Sequence, residues 1–369
     1  MLRNTLIASL LFLLMLGFES PSSAADQWQN VARIVALGDV HGDYRNFIEI
    51  LRDADVIDRR GNWIGGSTHF VQLGDLPDRG PDTDKIVEHM KKLERQAQKA
   101  GGMVHALTGN HEAMNMLGDL RYVHPNEYAA LKGGRTTRLR ETFYESEIRR
   151  LKELDPEFVA DLEFRKQWLE QIPLGYVEHR LAWSNQGEFG SWVATHNSVI
   201  KINRLLFLHG GISSEVLGMS ITEINEQVRT ELAGNLSEAA GLSERETGPL
   251  WYRGLATNDE QTEQILVDNI LAFYDVDHIV IGHTPGLGTI VPRFGGKVLV
   301  IDSGISDYYG AHLASLLIEG EESINIQRGK ALPIPLGNES LLGYYKSVTE
   351  LEPTARALQQ LITTMEAEL

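Results

Sequence analysis

Along the chain, hydrophobic residues fall into short continuous blocks, not into strict alternation with polar ones. The blocks are Ile34-Val35-Ala36-Leu37, Phe70-Val71-Gln72-Leu73, Val104-His105-Ala106-Leu107, Leu205-Leu206-Phe207-Leu208, Ile279-Val280-Ile281 and Val298-Leu299-Val300-Ile301. Runs of this length, with β-branched residues prominent, predict strands buried on both faces. Between the first three, apolar residues switch to helical spacing over Tyr44 to Ala54 and Asp82 to Lys99. In the second of these, Ile86, Val87, Met90, Leu93 and Ala97 form one stripe, and Asp82, Thr83 or Asp84 can cap its start. Alternating strands and helices predict an α/β protein.

Three stretches depart from that rhythm. Pro125 to Gln171 is charged and helix-favouring, which predicts a helical insertion at about 120–180 inside one main domain spanning 26–330. Ile221 to Gly248 is acidic and rich in Ala and Glu, and reads as a second insertion. Pro353 to Leu369 reads as a terminal helix with Pro in its first turn, closing an extension over 331–369. At the other end, Arg3, the apolar run Leu6 to Phe18 and Ser20-Pro21-Ser22-Ser23-Ala24-Ala25 follow the order of a secretory signal peptide over residues 1–25. The apolar run is shorter than the ~20 residues a spanning helix needs. The expectation is export to a periplasm or the cell exterior, without stable insertion in the membrane.

Charge and composition narrow the chemistry. Lys plus Arg number 34 against 51 Asp plus Glu, a formal net charge of −17, so a nucleic-acid backbone is not the expected partner and any bound anion needs a local positive charge. The absence of cysteine removes disulfides, Cys-ligated zinc, iron–sulfur clusters and thiol nucleophiles. A metal site must then rest on oxygen and nitrogen. The predicted strands supply both at their carboxyl ends, where α/β proteins place ligands: Gly38-Asp39, Gly74-Asp75, Gly109-Asn110, His209-Gly210 and Gly282-His283 each follow an apolar block. Together with His41 these make two carboxylates, three imidazoles and one carboxamide, a set suited to manganese, iron or zinc. With one carboxylate shared, they can serve two divalent ions ~3.5–4 Å apart, which would make the pocket cationic, favour phosphate and ionise a shared water near neutral pH.

Residues beside the ligands suit phosphoryl transfer. Asp78-Arg79 follows Asp75, and His111-Glu112 follows Asn110. An Asp paired to a His fixes the ring tautomer and raises its pKa, giving a general acid for a leaving alkoxide, a contribution of roughly 10²–10⁴ in rate. Arg79 and Arg253 can clamp phosphate oxygens bidentately. Asp43 reads equally as a helix cap or as a second layer behind the ligands, and Tyr308 as a rim residue over substrate or as packing. Tyr122, Trp192 and Trp251 read as core, as do His105 and His278, and the other histidines outside the ligand pattern as structural or exposed.

The motifs GDVHGD (Gly38 to Asp43), GDLPDRG (Gly74 to Gly80), GNHE (Gly109 to Glu112), HGG (His209 to Gly211) and GHT (Gly282 to Thr284) occur in this order. The chain thereby resembles the phosphoprotein phosphatase type of the calcineurin-like metallophosphoesterases, and most its bacterial Shewanella-like branch. The resemblance implies a sandwich of two mixed β-sheets flanked by helices, with a dimetal site at one edge. It implies that Asp39 and His41 hold one metal, that Asp75 bridges, and that Asn110, His209 and His283 hold the other, with manganese the expected activator in vitro. It further implies that His111 is the general acid oriented by Asp78, and that Arg79 and Arg253 grip phosphate while a bridging hydroxide attacks phosphorus. The expected substrate is a phosphoprotein, on Ser, Thr or Tyr, or a small phosphoester. Two features depart from the pattern: Pro77 stands where an aliphatic residue is usual, and Leu250-Trp251-Tyr252-Arg253-Gly254 replaces a Trp-Ser-Asp-Pro-type stretch. GHT equally resembles the diadenosine polyphosphate hydrolases, so phosphoanhydride hydrolysis is the alternative activity. A non-catalytic phospho-ligand or metal-binding protein is the alternative of another class.

Overall fold

The computed structural model describes residues 25–234, 240–337 and 340–367, so the predicted signal segment lies outside the described residues except for Ala25. Among the described residues there are twelve strands: β1 Gln27–Trp28, β2 Arg33–Leu37, β3 His69–Gln72, β4 Met103–Ala106, β5 Val199–Ile202, β6 Leu205–Leu208, β7 His278–Ile281, β8 Val291–Arg293, β9 Val298–Val300, β10 Ala314–Glu319, β11 Glu322–Gln327 and β12 Lys330–Pro333. The helices are α1 Tyr44–Asp53, α2 Thr83–Ala100, α3 Asn110–Leu117, α4 Pro125–Ala130, α5 Thr136–Leu154, α6 Leu162–Gln171, α7 Tyr176–Ala182, α8 Gly190–Val193, α9 Ile221–Leu232, α10 Gly254–Thr257, α11 Glu260–Tyr274, α12 Leu341–Leu351 and α13 Arg356–Ala367.

Two six-stranded mixed sheets form, ordered β12-β11-β10-β2-β3-β4 and β1-β5-β6-β7-β9-β8. In the first, β2, β3 and β4 run parallel, and β10 to β12 add an antiparallel meander. In the second, β6, β7 and β9 run parallel, flanked by antiparallel β5 and β8. The two-residue side-chain period sorts each strand between two layers. Ile34 and Ala36 of β2 pack in a layer with Phe207 of β6 and Val280 of β7, which is the core between the sheets. Val35 and Leu37 face the other way, onto Phe47 and Leu51 of α1 and Ile86, Met90 and Leu93 of α2. Leu206, Leu208 and Ile279 likewise turn outward, onto α9 and α11. Continuous apolar blocks are therefore required, because every central strand is covered on both faces.

The fold is the expected α/β sandwich, with differences in detail. β1, β5, β8 and β10–β12 add to the predicted blocks; β10 and β11 form a hairpin whose turn places Gly320 at φ +62°. The terminal segment holds two helices, not one, and Pro353 lies between them instead of in a first turn. Tyr344, Tyr345 and Val348 of α12 and Leu358 of α13 are buried in the inter-sheet core, so these residues close the sandwich. Between Pro125 and Ala182 the chain forms α4–α7.

Candidate metal and phosphate site

The three parallel strands of each sheet end at one edge of the sandwich, and the turns after them carry the polar side chains: Asp39 after β2, Asp75 after β3, Asn110 after β4, His209 after β6, His283 after β7 and Asp302 after β9. All six residues are buried. Two glycines let the turns close. A Cβ on Gly282 would stand 2.6 Å from Asp39 Oδ1, and Gly74 sits at φ +95° with its α-carbon packed on the Gly109 backbone. His41, Asp75, Asp78, Arg79 and His283 adopt left-handed backbone angles, φ +48° to +71°, a conformation that costs about 1–3 kcal/mol per residue and persists only where the surroundings enforce it. Here they do: the Val40 and His41 amides both donate to the Asp75 carbonyl, and the Gly42 amide to the Leu76 carbonyl.

Hydrogen bonds leave one free face on each polar group. Asp39 Oδ1 accepts the His283 amide (2.9 Å) and Asp75 Oδ1 accepts the His111 amide (2.9 Å), so the Oδ2 atoms remain. His41 Nδ1 donates to the Pro77 carbonyl and His209 Nδ1 to the Leu73 carbonyl, which turns the Nε2 of each ring inward. His283 Nε2 donates to the Trp251 carbonyl, leaving Nδ1 free. The acceptors then face one another. His209 Nε2 lies 2.9 Å from Asn110 Oδ1 and 3.3 Å from Asp75 Oδ2, and His41 Nε2 lies 3.8 Å from both Asp39 Oδ2 and Asp75 Oδ2. Converging lone pairs at these distances need a cation or protons among them. The donor set fits a metal: His41, Asp75 and His111 form one group able to hold an ion, and Asp75, His209 and His283 another, with Asp75 common to both.

Electrostatics support the same fit. Burial opposes the charge on Asp75, yet His209, His111 and His41 outweigh it and hold the carboxyl well below its usual range. Asp39 moves the other way, raised by burial and by the neighbouring Asp302 and Asp75. Burial pushes Asp302 up to about 6, and burial with Asp75 pushes Glu112 up to about 7. Burial and His111 bring His41 down to about 3, and burial, His209 and Arg253 lower His283, so both rings are neutral and able to ligate. This crowd of carboxyls lacks positive charge that divalent cations would supply.

His111 and its neighbours line the same pocket. His111 Nδ1 bonds Asp78 Oδ2 at 2.5 Å, and Asp78 Oδ1 accepts from Asn115 Nδ2. Burial pulls the His111 pKa down, but Asp75 and Asp78 outweigh it and raise it. His111 Nε2 lies 3.8 Å from Asp75 Oδ2. Arg79 is held over the Tyr122 ring at 3.9 Å and donates from Nη1 to Tyr308 Oη, while its buried Nε has no partner. Arg253 Nη1 donates to the His283 carbonyl and Thr284 Oγ1. Tyr308 is exposed at the rim, above the pocket. Asp39, His41, Asp75, Asp78, Arg79, Asn110, His111, His209, Arg253, His283 and Tyr308 thus all come to this edge.

Some roles differ from the sequence reading. Tyr122 and Trp251 are not simple core: each is half-buried, Tyr122 against Arg79 and Trp251 against His283. Asp43 does cap α1, accepting the Asn46 amide, and its other oxygen accepts the Asp307 amide, which fixes the turn bearing Tyr308. Three buried carboxylates had no assigned role. Glu112 accepts the amides of Asp75, Leu76 and Gly109. Glu127 accepts the Asp78 amide. Asp302 stands beside Asp39, and the apolar block Val298 to Ile301 directly before it was a usable signal.

The Calcineurin-like phosphoesterase family matches the chain over residues 32–287. An uncharacterized Schizosaccharomyces pombe protein is 31% identical over 82% of this chain and 82% of its own length. Shewanella-like protein phosphatase 2 of Arabidopsis thaliana is 32% identical over 58% of this chain and 56% of its own length. Among solved structures, a cold-active protein-tyrosine phosphatase of a psychrophilic Shewanella species superposes with a TM-score of 0.64 at 30% identity, over 84% of this chain and 82% of the other.

Proposed function

The chain belongs to the calcineurin-like phosphoesterase family and is a phosphoester hydrolase that uses divalent metal; on that premise we propose that it is a two-metal phosphomonoesterase acting on phosphoproteins. One observation carries the reading: Asp75 Oδ2 lies 3.3 Å from His209 Nε2 and 3.8 Å from both His41 Nε2 and His111 Nε2, at the seam between two donor groups. Asp39 Oδ2, His41 Nε2 and Asp75 Oδ2 would hold one cation; Asp75 Oδ2, Asn110 Oδ1, His209 Nε2 and His283 Nδ1 the other. When bound, the cations lower the pKa of water and polarise phosphoryl oxygens.

The protein's own groups do the rest. Asp78 keeps His111 Nδ1 protonated and its ring fixed, so that His111 Nε2 can present a proton to the departing ester oxygen. Arg79, whose Nε is unpartnered, and Arg253, held by the His283 carbonyl, donate to phosphate oxygens. Protein substrate is favoured by those relatives that are named as protein phosphatases. The N-terminal pattern further supports placing the mature enzyme outside the cytoplasm.

Metal analysis of purified protein, alongside hydrolysis of an aryl phosphate, phosphopeptides and diadenosine tetraphosphate, tests the reading. The expected result is about two metal equivalents and release of phosphate from the phosphomonoesters, with Asp75→Asn losing both metal and turnover. Turnover of diadenosine tetraphosphate alone would replace the monoesterase reading with the phosphoanhydride one. Full metal content in the Asp75 variant would overturn the shared carboxylate.

A further inference from the structure

Beside the catalytic edge, one surface carries charge opposite to that of the molecule. On α2, Lys85, Glu88, His89, Lys92 and Arg95 recur at helical spacing and share one face. With Tyr44 at the start of α1 and Arg60 in the loop after it, they line a cavity of about 350 Å³. Its floor is satisfied: Tyr44 Oη bonds His89 Nδ1, and the Gly61 carbonyl accepts from Lys92 Nζ and faces His89 Nε2. Its walls are not. Among the described residues, the exposed guanidiniums of Arg60 and Arg95 make no hydrogen bond or ion pair, and Glu88 is the sole acid lining the cavity.

Lys92 holds the Gly61 carbonyl and Lys85 pairs with Asp82, but Arg60 and Arg95 add two exposed charges that repel this pair on a chain of net charge −17, and the fold does not require those two. The groove also has a direction. Lys85 pairs with Asp82, and Asp82 lines the neighbouring cavity that holds Arg79 and Tyr308, so the basic face starts at the catalytic rim. From Lys85 to Arg95 it runs roughly 15 Å along the helix, the length of about five extended residues. No unpartnered buried donor belongs to the cavity's lining, so the attraction comes from long exposed side chains. Such walls suit several separate carboxylates better than one small anion that must be enclosed.

We propose that this groove docks an acidic polypeptide stretch flanking the phosphorylated residue of a substrate. The proposal rests on the protein-phosphatase reading above, and its test separates the two. The double variant Arg60→Gln/Arg95→Gln removes two exposed charges that the fold does not use. For a phosphopeptide with acidic flanks, KM should rise about three- to tenfold with kcat unchanged, the size expected from two exposed ion pairs. A neutral phosphopeptide and a small aryl phosphate should be unaffected. Fluorescence anisotropy with a labelled, unphosphorylated acidic peptide reads docking without catalysis: binding should weaken in the variant and with added salt. Equal KM for acidic and neutral peptides in the wild-type enzyme, an equal shift for every substrate in the variant, or no binding of the acidic peptide would overturn the proposal. So would binding of inorganic polyphosphate in place of that peptide. If no phosphopeptide is hydrolysed, the phosphatase reading fails, while the anisotropy result still decides whether the groove docks acidic chain.

Discussion

His111 stands where two assignments compete, because its Nε2 lies as close to Asp75 Oδ2 as that of the proposed ligand His41 does. The contact on its other nitrogen separates them. Asp78, itself held by Asn115 and by the amide it donates to Glu127, pins Nδ1–H and favours a ring that carries a transferable proton. His111→Asn should therefore keep full metal content and lose about 10²–10⁴ in kcat, most severely for alkyl phosphates with poor leaving groups. Metal analysis and a leaving-group series check this; metal loss in step with activity would make His111 a ligand instead. The candidate ligands Asp39, Asp75, Asn110, His209 and His283 were legible in the sequence because each sits next to Gly at the end of an apolar block. The partners Glu127 and Asn115 were not, since nothing in their local sequence distinguishes a buried acceptor or amide from an exposed one.

At the scale of elements, the site is a consequence of strand direction. Six parallel strand ends, three from each sheet, open on one edge, and residues far apart in sequence meet there through turns that each sheet alone could not stabilise. Glu112, in the first turn of α3, joins two of those turns by accepting the Asp75, Leu76 and Gly109 amides. A glutamine there offers one carbonyl oxygen and one N–H₂ to three donors. Glu112→Gln should cost about 2–3 kcal/mol of stability and weaken metal binding roughly 10–100-fold. Thermal melts of the metal-free protein and a metal titration measure the two effects; unchanged values in both would mean that the turns hold themselves. The central strands were readable because burial on both faces leaves them continuously apolar. The edge strands β1, β8 and β12 were not, as each is short and partly polar and is defined by its neighbour's hydrogen bonds.

At the scale of the molecule, the apolar packing of the C-terminal helices on the sandwich is joined by one buried carboxylate. Glu352, just past α12, accepts from Gln327 of β11, from Arg328 and from His312. Burial opposes its charge, but those three donors prevail and hold its pKa below the ordinary 4.5. A carboxyl depressed by folding stabilises the native state fully above its unfolded value and loses that contribution as pH falls through the folded one. Glu352→Gln should thus destabilise by about 1–3 kcal/mol at neutral pH, with the difference from wild type shrinking below about pH 4.5. Denaturant unfolding at several pH values tests this; a constant difference would place the effect in packing, not charge. What the sequence alone determined was the alternation of buried strands and helices, the metal-competent residue types after each strand and the order of the motifs, all of which local spacing encodes. Tertiary structure decided which free oxygen or nitrogen each ligand presents, which silent carboxylates hold the turns and where a basic groove meets the catalytic rim, because those depend on contacts between residues that chain position does not relate.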